Sequence, residues 1–169
     1  NVEIAFRPDG KIISWSLDSL EFQVWDPFSG KQIETFTDSI ELCSFIVSHD
    51  GHLLAVTDGR KVSIREPSTG KHFYLEKSFE SCLMMAFSPN DMILATLSLS
   101  RGNLIVDLWD LPTHELRSSL NVAGRKIQFS EDGKCFCTGH EIYHIETDAE
   151  GHLVSVAADV DPIRVKDGW

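Results

Sequence analysis

Seven histidines and four cysteines are the side chains of this 169-residue chain best suited to metal binding or nucleophilic chemistry. His140, Glu141 and His144 carry the i, i+4 histidine spacing that shares one face of a helix in zinc hydrolases. Gly139 before them, and Ile142 and Ile145 around them, predict a hairpin instead, where that spacing assembles no zinc site. His49 and His114 fall in turns, and His72 and His152 follow loop glycines. No metal site is expected. Cys43, Cys82, Cys135 and Cys137 fall in strands, with no Cys-x-x-Cys among them, so free, buried thiols in a reducing compartment are expected. Gly-x-Ser-x-Gly, Gly-x-Gly-x-x-Gly and Walker sequences are absent, and Ser14, Ser16, Ser98 and Ser100 lie in or beside strands. Neither an enzyme nor a cofactor is expected.

The elements that position these residues follow one repeated grammar. Phe6-Arg7-Pro8-Asp9-Gly10 recurs as Val47-Ser48-His49-Asp50-Gly51, Phe87-Ser88-Pro89-Asn90-Asp91 and Phe129-Ser130-Glu131-Asp132-Gly133. The turns end at residues 10, 51, 91 and 133, a period of 40 to 42 residues. In phase with them run Val24-Trp25-Asp26, Ile64-Arg65-Glu66 and Leu108-Trp109-Asp110, with Ile145-Glu146 closing a shorter fourth copy. Pro27 to Lys31, Pro67 to Lys71, Pro112 to Glu115 and Asp148 to His152 supply a further turn in each unit. Each unit therefore predicts four strands joined by tight turns, and an interval near 40 residues is the mark of a β-propeller array.

With Trp25-Asp26 and Trp109-Asp110 as its dipeptides, the sequence resembles the WD40-repeat family from Val2 to about Val160. The resemblance implies an all-β, WD40-type β-propeller of four four-stranded antiparallel blades, at about 1–41, 42–79, 80–124 and 125–169 of a single array, and part of a larger propeller or an oligomer. The family's buried tetrad of Trp, Ser or Thr, His and Asp has two members in unit three, Trp109 and Thr96, while Trp15 stands where unit one needs its hydroxyl. No unit carries the expected Gly-His before its inner strand. The degenerate repeats and the Lys-Asp-Gly-Trp ending are similar to C-terminal WD40 regions of large fungal proteins, including NACHT-type signalling proteins.

Phe6, Val47, Phe87 and Phe129 align in one column, and Ile4, Phe45, Met85 and Ile127 in another two residues back. The strand period of two puts both columns on one face, where sheet is expected to pack on sheet. Arg125 interrupts the next position in the fourth unit. A chain that starts within a strand and stops at Gly168-Trp169 is expected to be a fragment whose end faces need covering.

The formal charge of −11, from 26 acidic and 15 basic residues, opposes nucleic-acid binding, which needs clustered Lys and Arg. No run of eighteen apolar residues occurs, so no membrane span is expected. The combined expectation is a cytoplasmic protein-interaction scaffold or sensor, with a protein or peptide partner that carries basic groups and self-association through blade edges. By the resemblance, its binding loops hold Asp18, Asp38, Glu41, Asp58, Arg60, Glu80, Arg101 and Asn103. The alternative is a small-ligand-binding or catalytic propeller with a site in the central channel.

Overall fold

The computed structural model describes residues 2–16, 21–37, 44–139 and 141–158, and among these every regular element is a strand. Four antiparallel sheets of four strands follow one another, each in simple sequential order. The first contains β1 (Val2–Phe6), β2 (Ile12–Ser16), β3 (Glu21–Trp25) and β4 (Gln32–Thr37), and the second β5 (Ser44–Val47), β6 (Leu54–Thr57), β7 (Val62–Glu66) and β8 (Lys71–Tyr74). The third contains β9 (Ser81–Phe87), β10 (Ile93–Ser100), β11 (Asn103–Asp110) and β12 (Glu115–Val122). β13 (Gln128–Phe129), β14 (Cys135–Cys137), β15 (Ile142–Thr147) and β16 (Leu153–Ala158) form the fourth. The chain divides into two compact units, 1–77 and 78–169, with two sheets in each.

The first hairpin of every sheet is closed by the turn the repeat predicts. Gly10, Gly51 and Gly133 have φ of 80°, 76° and 69°, and Asp91 takes the same left-handed place at 56°. In three sheets a serine locks the turn. Ser48, Ser88 and Ser130 hydroxyls donate to Asp50, Asn90 and Asp132 at 2.6 to 2.7 Å and accept the N–H of Leu53, Ile93 and Cys135 at 2.9 to 3.0 Å. Arg7 replaces this serine in the first sheet, and its connection is shorter. Five residues separate Phe6 from its partner Ile12, whereas six separate Val47 from Leu54, Phe87 from Leu94 and Phe129 from Phe136.

That missing residue corrects one sequence expectation. With the strands in true register, Ser14 takes the place of Thr96, and Trp15 faces the core. Trp25 Nε1–H donates to Ser14 Oγ at 2.8 Å, as Trp109 Nε1–H donates to Thr96 Oγ1 at 3.2 Å.

Within unit 1, Ile13, Trp15, Phe22 and Val24 of the first sheet pack with Phe45, Leu54 and Val56 of the second. Phe22 meets Phe45 edge to face, 5.2 Å between ring centres. Within unit 2, Ala95, Leu97, Val106 and Leu108 of the third sheet pack with Ile127, Phe136, Tyr143 and Ile145 of the fourth. Each fully buried aliphatic or aromatic side chain contributes about 1.5 to 3 kcal/mol.

The fourth sheet begins irregularly, because β13 has two residues where β9 has seven. Its approach is fixed instead by Glu141, whose Oε2 accepts the Ala123 N–H at 3.0 Å, the Tyr143 hydroxyl at 3.1 Å and the Thr138 hydroxyl at 3.2 Å. Burial and this carboxylate together push the Tyr143 phenol up to about 12.

Candidate functional site

The first sheet has two faces of unlike fate. Ala5, Ile13, Trp15, Phe22 and Val24 face the unit 1 core. The register places Ile4, Phe6, Ile12, Ser14 and Trp25 on the opposite face. There Ile4 is 63% and Phe6 73% exposed, while Ile12, Ser14 and Trp25 are half-buried. This corrects the expectation for the aligned columns in one sheet: Phe45, Met85, Phe87 and Ile127 are buried as the pattern requires, but Ile4 and Phe6 lie open. Their strand period is right and their face has no neighbour among the described residues of unit 1. Arg7 and Lys11 hold Asp9 between them at 3.4 and 3.2 Å, a charged rim beside Phe6. Burial alone would push the Asp9 carboxyl up, but hydrogen bonds from Lys11 and the two cations hold it below its ordinary value.

The fourth sheet's outer face is of another kind. Gln128, Cys135, Cys137, Ile142, His144, Glu146 and Ser155 share it by register. Cys135 Sγ lies 3.2 Å from His144 Nδ1, and Ser155 Oγ–H donates to Glu146 Oε2 at 2.7 Å. Polar and small groups occupy positions equivalent to the buried Ile93 and Ala95 of the third sheet. Cys82, Cys135 and Cys137 form no disulfide, with Cys82 buried and the other two half-buried. The segment around His144 is the hairpin that the sequence predicts, with β14 paired to β15. No three His, Cys, Asp or Glu side chains gather to hold a metal ion among the described residues.

The loop residues singled out from sequence fall into separate groups. Asp18, Asp38 and Glu41 lie outside the described residues. Asp58 and Arg60 are in the β6–β7 turn of unit 1, where Asp58 Oδ1 accepts the N–H of Arg60 at 2.7 Å and of Lys61 at 2.6 Å. Glu80, Arg101 and Asn103 come together at one end of the third sheet in unit 2: the Glu80 carboxylate accepts the Arg101 N–H at 2.9 Å, and Asn103 opens β11. All five are polar groups at strand ends.

One polar cleft of about 280 Å³ lies in unit 2, lined by Pro89, Asn90, Glu131, Asp132, Lys134 and neighbouring residues. Asp132 is committed to its own turn, since Ser130 Oγ–H and the Lys134 N–H donate to it and hold its carboxyl below the ordinary range. The cleft presents no nucleophile beside a base.

No family model and no curated protein matches the sequence. Solved structures do match the fold. Hydrazine synthase of Kuenenia stuttgartiensis superposes with a TM-score of 0.64 over 92% of this chain at 18% identity. The match takes in 52% of that structure's chain, so this chain spans about half of its length. At this identity the likeness concerns the arrangement of sheets and not the chemistry.

Proposed function

We propose that this chain is a segment of a WD40-type β-propeller that serves as a protein-interaction scaffold and catalyses no reaction. The observation that carries the proposal is the outer face of the first sheet. Ile4, Phe6, Ile12 and Trp25 repeat the chemistry of Phe45, Val47 and Leu54, which in the second sheet pack under Ile13, Trp15, Phe22 and Val24. The occupant that fits is therefore a further β-sheet presenting small and branched aliphatic side chains, with the Trp25–Ser14 bond covered as the Trp109–Thr96 bond is buried. Repeat arrays expose no such face unless something caps it.

The loop ends supply the second contact surface. Asp58, Arg60, Glu80, Arg101 and Asn103, with Asp18, Asp38 and Glu41, form the set against which a peptide would be read, and a charge of −11 favours one carrying Lys or Arg. A cytoplasmic setting, where thiols are kept reduced, suits strand cysteines with no Cys-x-x-Cys among them. Among the described residues no helix is long and apolar enough to cross a membrane.

Light scattering on the isolated chain tests the proposal. With no other sheet present, the face is expected to bind a second copy, so the mass rises with concentration above that of the 19.0 kDa monomer. The double variant Ile4→Lys, Phe6→Lys should remain monomeric with an unchanged melting temperature. A wild-type chain that stays monomeric at every concentration, or a variant that associates as readily, would overturn it.

A further inference from the structure

The fourth sheet's outer face pairs a thiol with an imidazole. Cys135 and His144 are register partners across β14 and β15, and Cys135 Sγ stands 3.2 Å from His144 Nδ1. Hydrogen bonds of the backbone fix the strand segments that carry the pair. The Cys135 N–H donates to Ser130 Oγ at 3.0 Å, its carbonyl accepts the Ser130 N–H at 2.9 Å, and the Ile145 N–H donates to the Lys134 carbonyl at 2.7 Å. Cys135 is half-buried and His144 exposed, so a small molecule can reach the sulfur beside a base that faces water.

We propose that Cys135 is a nucleophilic thiol, activated by His144, and a site of covalent modification by small α,β-unsaturated carbonyl compounds. A thiol becomes reactive as thiolate, and a base within hydrogen-bond reach supplies that form near neutral pH. The Cys135 proton passes to His144 Nδ1, and the sulfur attacks the β-carbon to form a C–S bond. The π electrons of the C=C bond move into the enolate, which takes the proton back from His144 at its α-carbon. Nothing leaves and no oxidant is needed.

Other groups share this face with the pair. From β14 comes Cys137, from β15 Glu146, held by Ser155, from β16 Ser155 and Ala157, and from β13 Gln128. Lys134 lines the cleft on the opposite side. Cys137 thus provides an internal control: it shares the face but pairs with Ile142.

N-ethylmaleimide is the probe, with peptide mapping by mass spectrometry to assign each adduct. At pH 6.5 Cys135 is expected to react about tenfold faster than Cys137. The difference should narrow as the pH is raised, because hydroxide then removes a thiol proton without the help of a neighbouring base. His144→Ala should slow Cys135 to the rate of Cys137 while leaving Cys137 and the melting temperature unchanged. His144→Gln, which keeps a polar partner but accepts no proton, should act likewise. Equal rates in the wild type, or fast labelling of Cys135 in either variant, would overturn the assignment. The measurement requires only that the fourth sheet's outer face be open in this chain, so its result is independent of what covers the first sheet.

Discussion

Asp110 Oδ2 lies 3.1 Å from His152 Nδ1, joining residues 42 apart in the chain across the two sheets of unit 2. Asp110 is fully buried at the end of β11, and His152 sits in the turn before β16. The carboxylate also accepts the Thr113 N–H and hydroxyl at 3.0 and 2.8 Å and the Leu153 N–H at 3.3 Å. One side chain therefore closes its own turn and fastens the next sheet's. A buried charge is tolerable only when so many donors replace its water.

Asp110→Ala strands several of these donors at once and should cost about 2 to 4 kcal/mol in urea denaturation. His152→Ala leaves the Thr113 and Leu153 bonds in place and should cost about half as much. Equal losses would show that the histidine carries the contact.

Acid should destabilise the fold from the carboxylate side. Burial alone would push the Asp110 carboxyl up, but bonds from Thr113, His152 and Leu153 outweigh it and hold it below 3.8. A carboxyl whose pKa is lower folded than unfolded adds stability above its unfolded value, and that stability is lost as pH falls through the folded one. Asp50 and Asp132 are lowered in the same direction by their locking serines and nearby backbone N–H groups, Asp50 against its own burial. The urea midpoint of the wild type should therefore fall steeply below pH 4, while Asp110→Asn starts lower and falls less. Parallel curves would remove Asp110 from the acid response.

Gly124 admits no side chain. A Cβ there would lie 1.3 Å from the Thr138 carbonyl oxygen, so the backbone of one segment would have to move. Gly124→Ala should cost about 3 kcal/mol or more, because the approach held by Glu141 would be pushed apart. Gly30→Ala, at φ 67° with open space around it, should cost about 1 kcal/mol from its backbone conformation alone. Thermal melts of the two variants distinguish steric exclusion from conformational strain.

The two tryptophan bonds should differ in worth. Thr96→Val leaves the wholly buried Trp109 indole N–H unpartnered and should cost about 1 to 3 kcal/mol. Ser14→Ala exposes the half-buried Trp25 indole to water, which replaces the lost hydroxyl, and should cost under about 1 kcal/mol. Paired denaturation curves check this, and a larger loss from Ser14→Ala would mean that the first sheet's outer face is already covered in solution.

Local chemistry made the sheets legible in the residues. Asp-Gly or Asn-Asp turns, locked by a serine in three of the four sheets, fix where each first hairpin reverses, and alternation fixes which strand positions share a face, so the four strands of each sheet among the described residues follow from the repeat. Three things waited for the tertiary structure, since each depends on contacts between residues far apart in sequence. The shortened turn at Arg7 shifts register by one and exchanges Trp15 for Ser14 as the partner of Trp25. Gly124 and Glu141 fix the start of the fourth sheet through backbone contacts that no spacing announces. Whether an apolar column is core or surface was also decided there: alternation places Ile4 and Phe6 on one face, but only a neighbouring sheet can bury it.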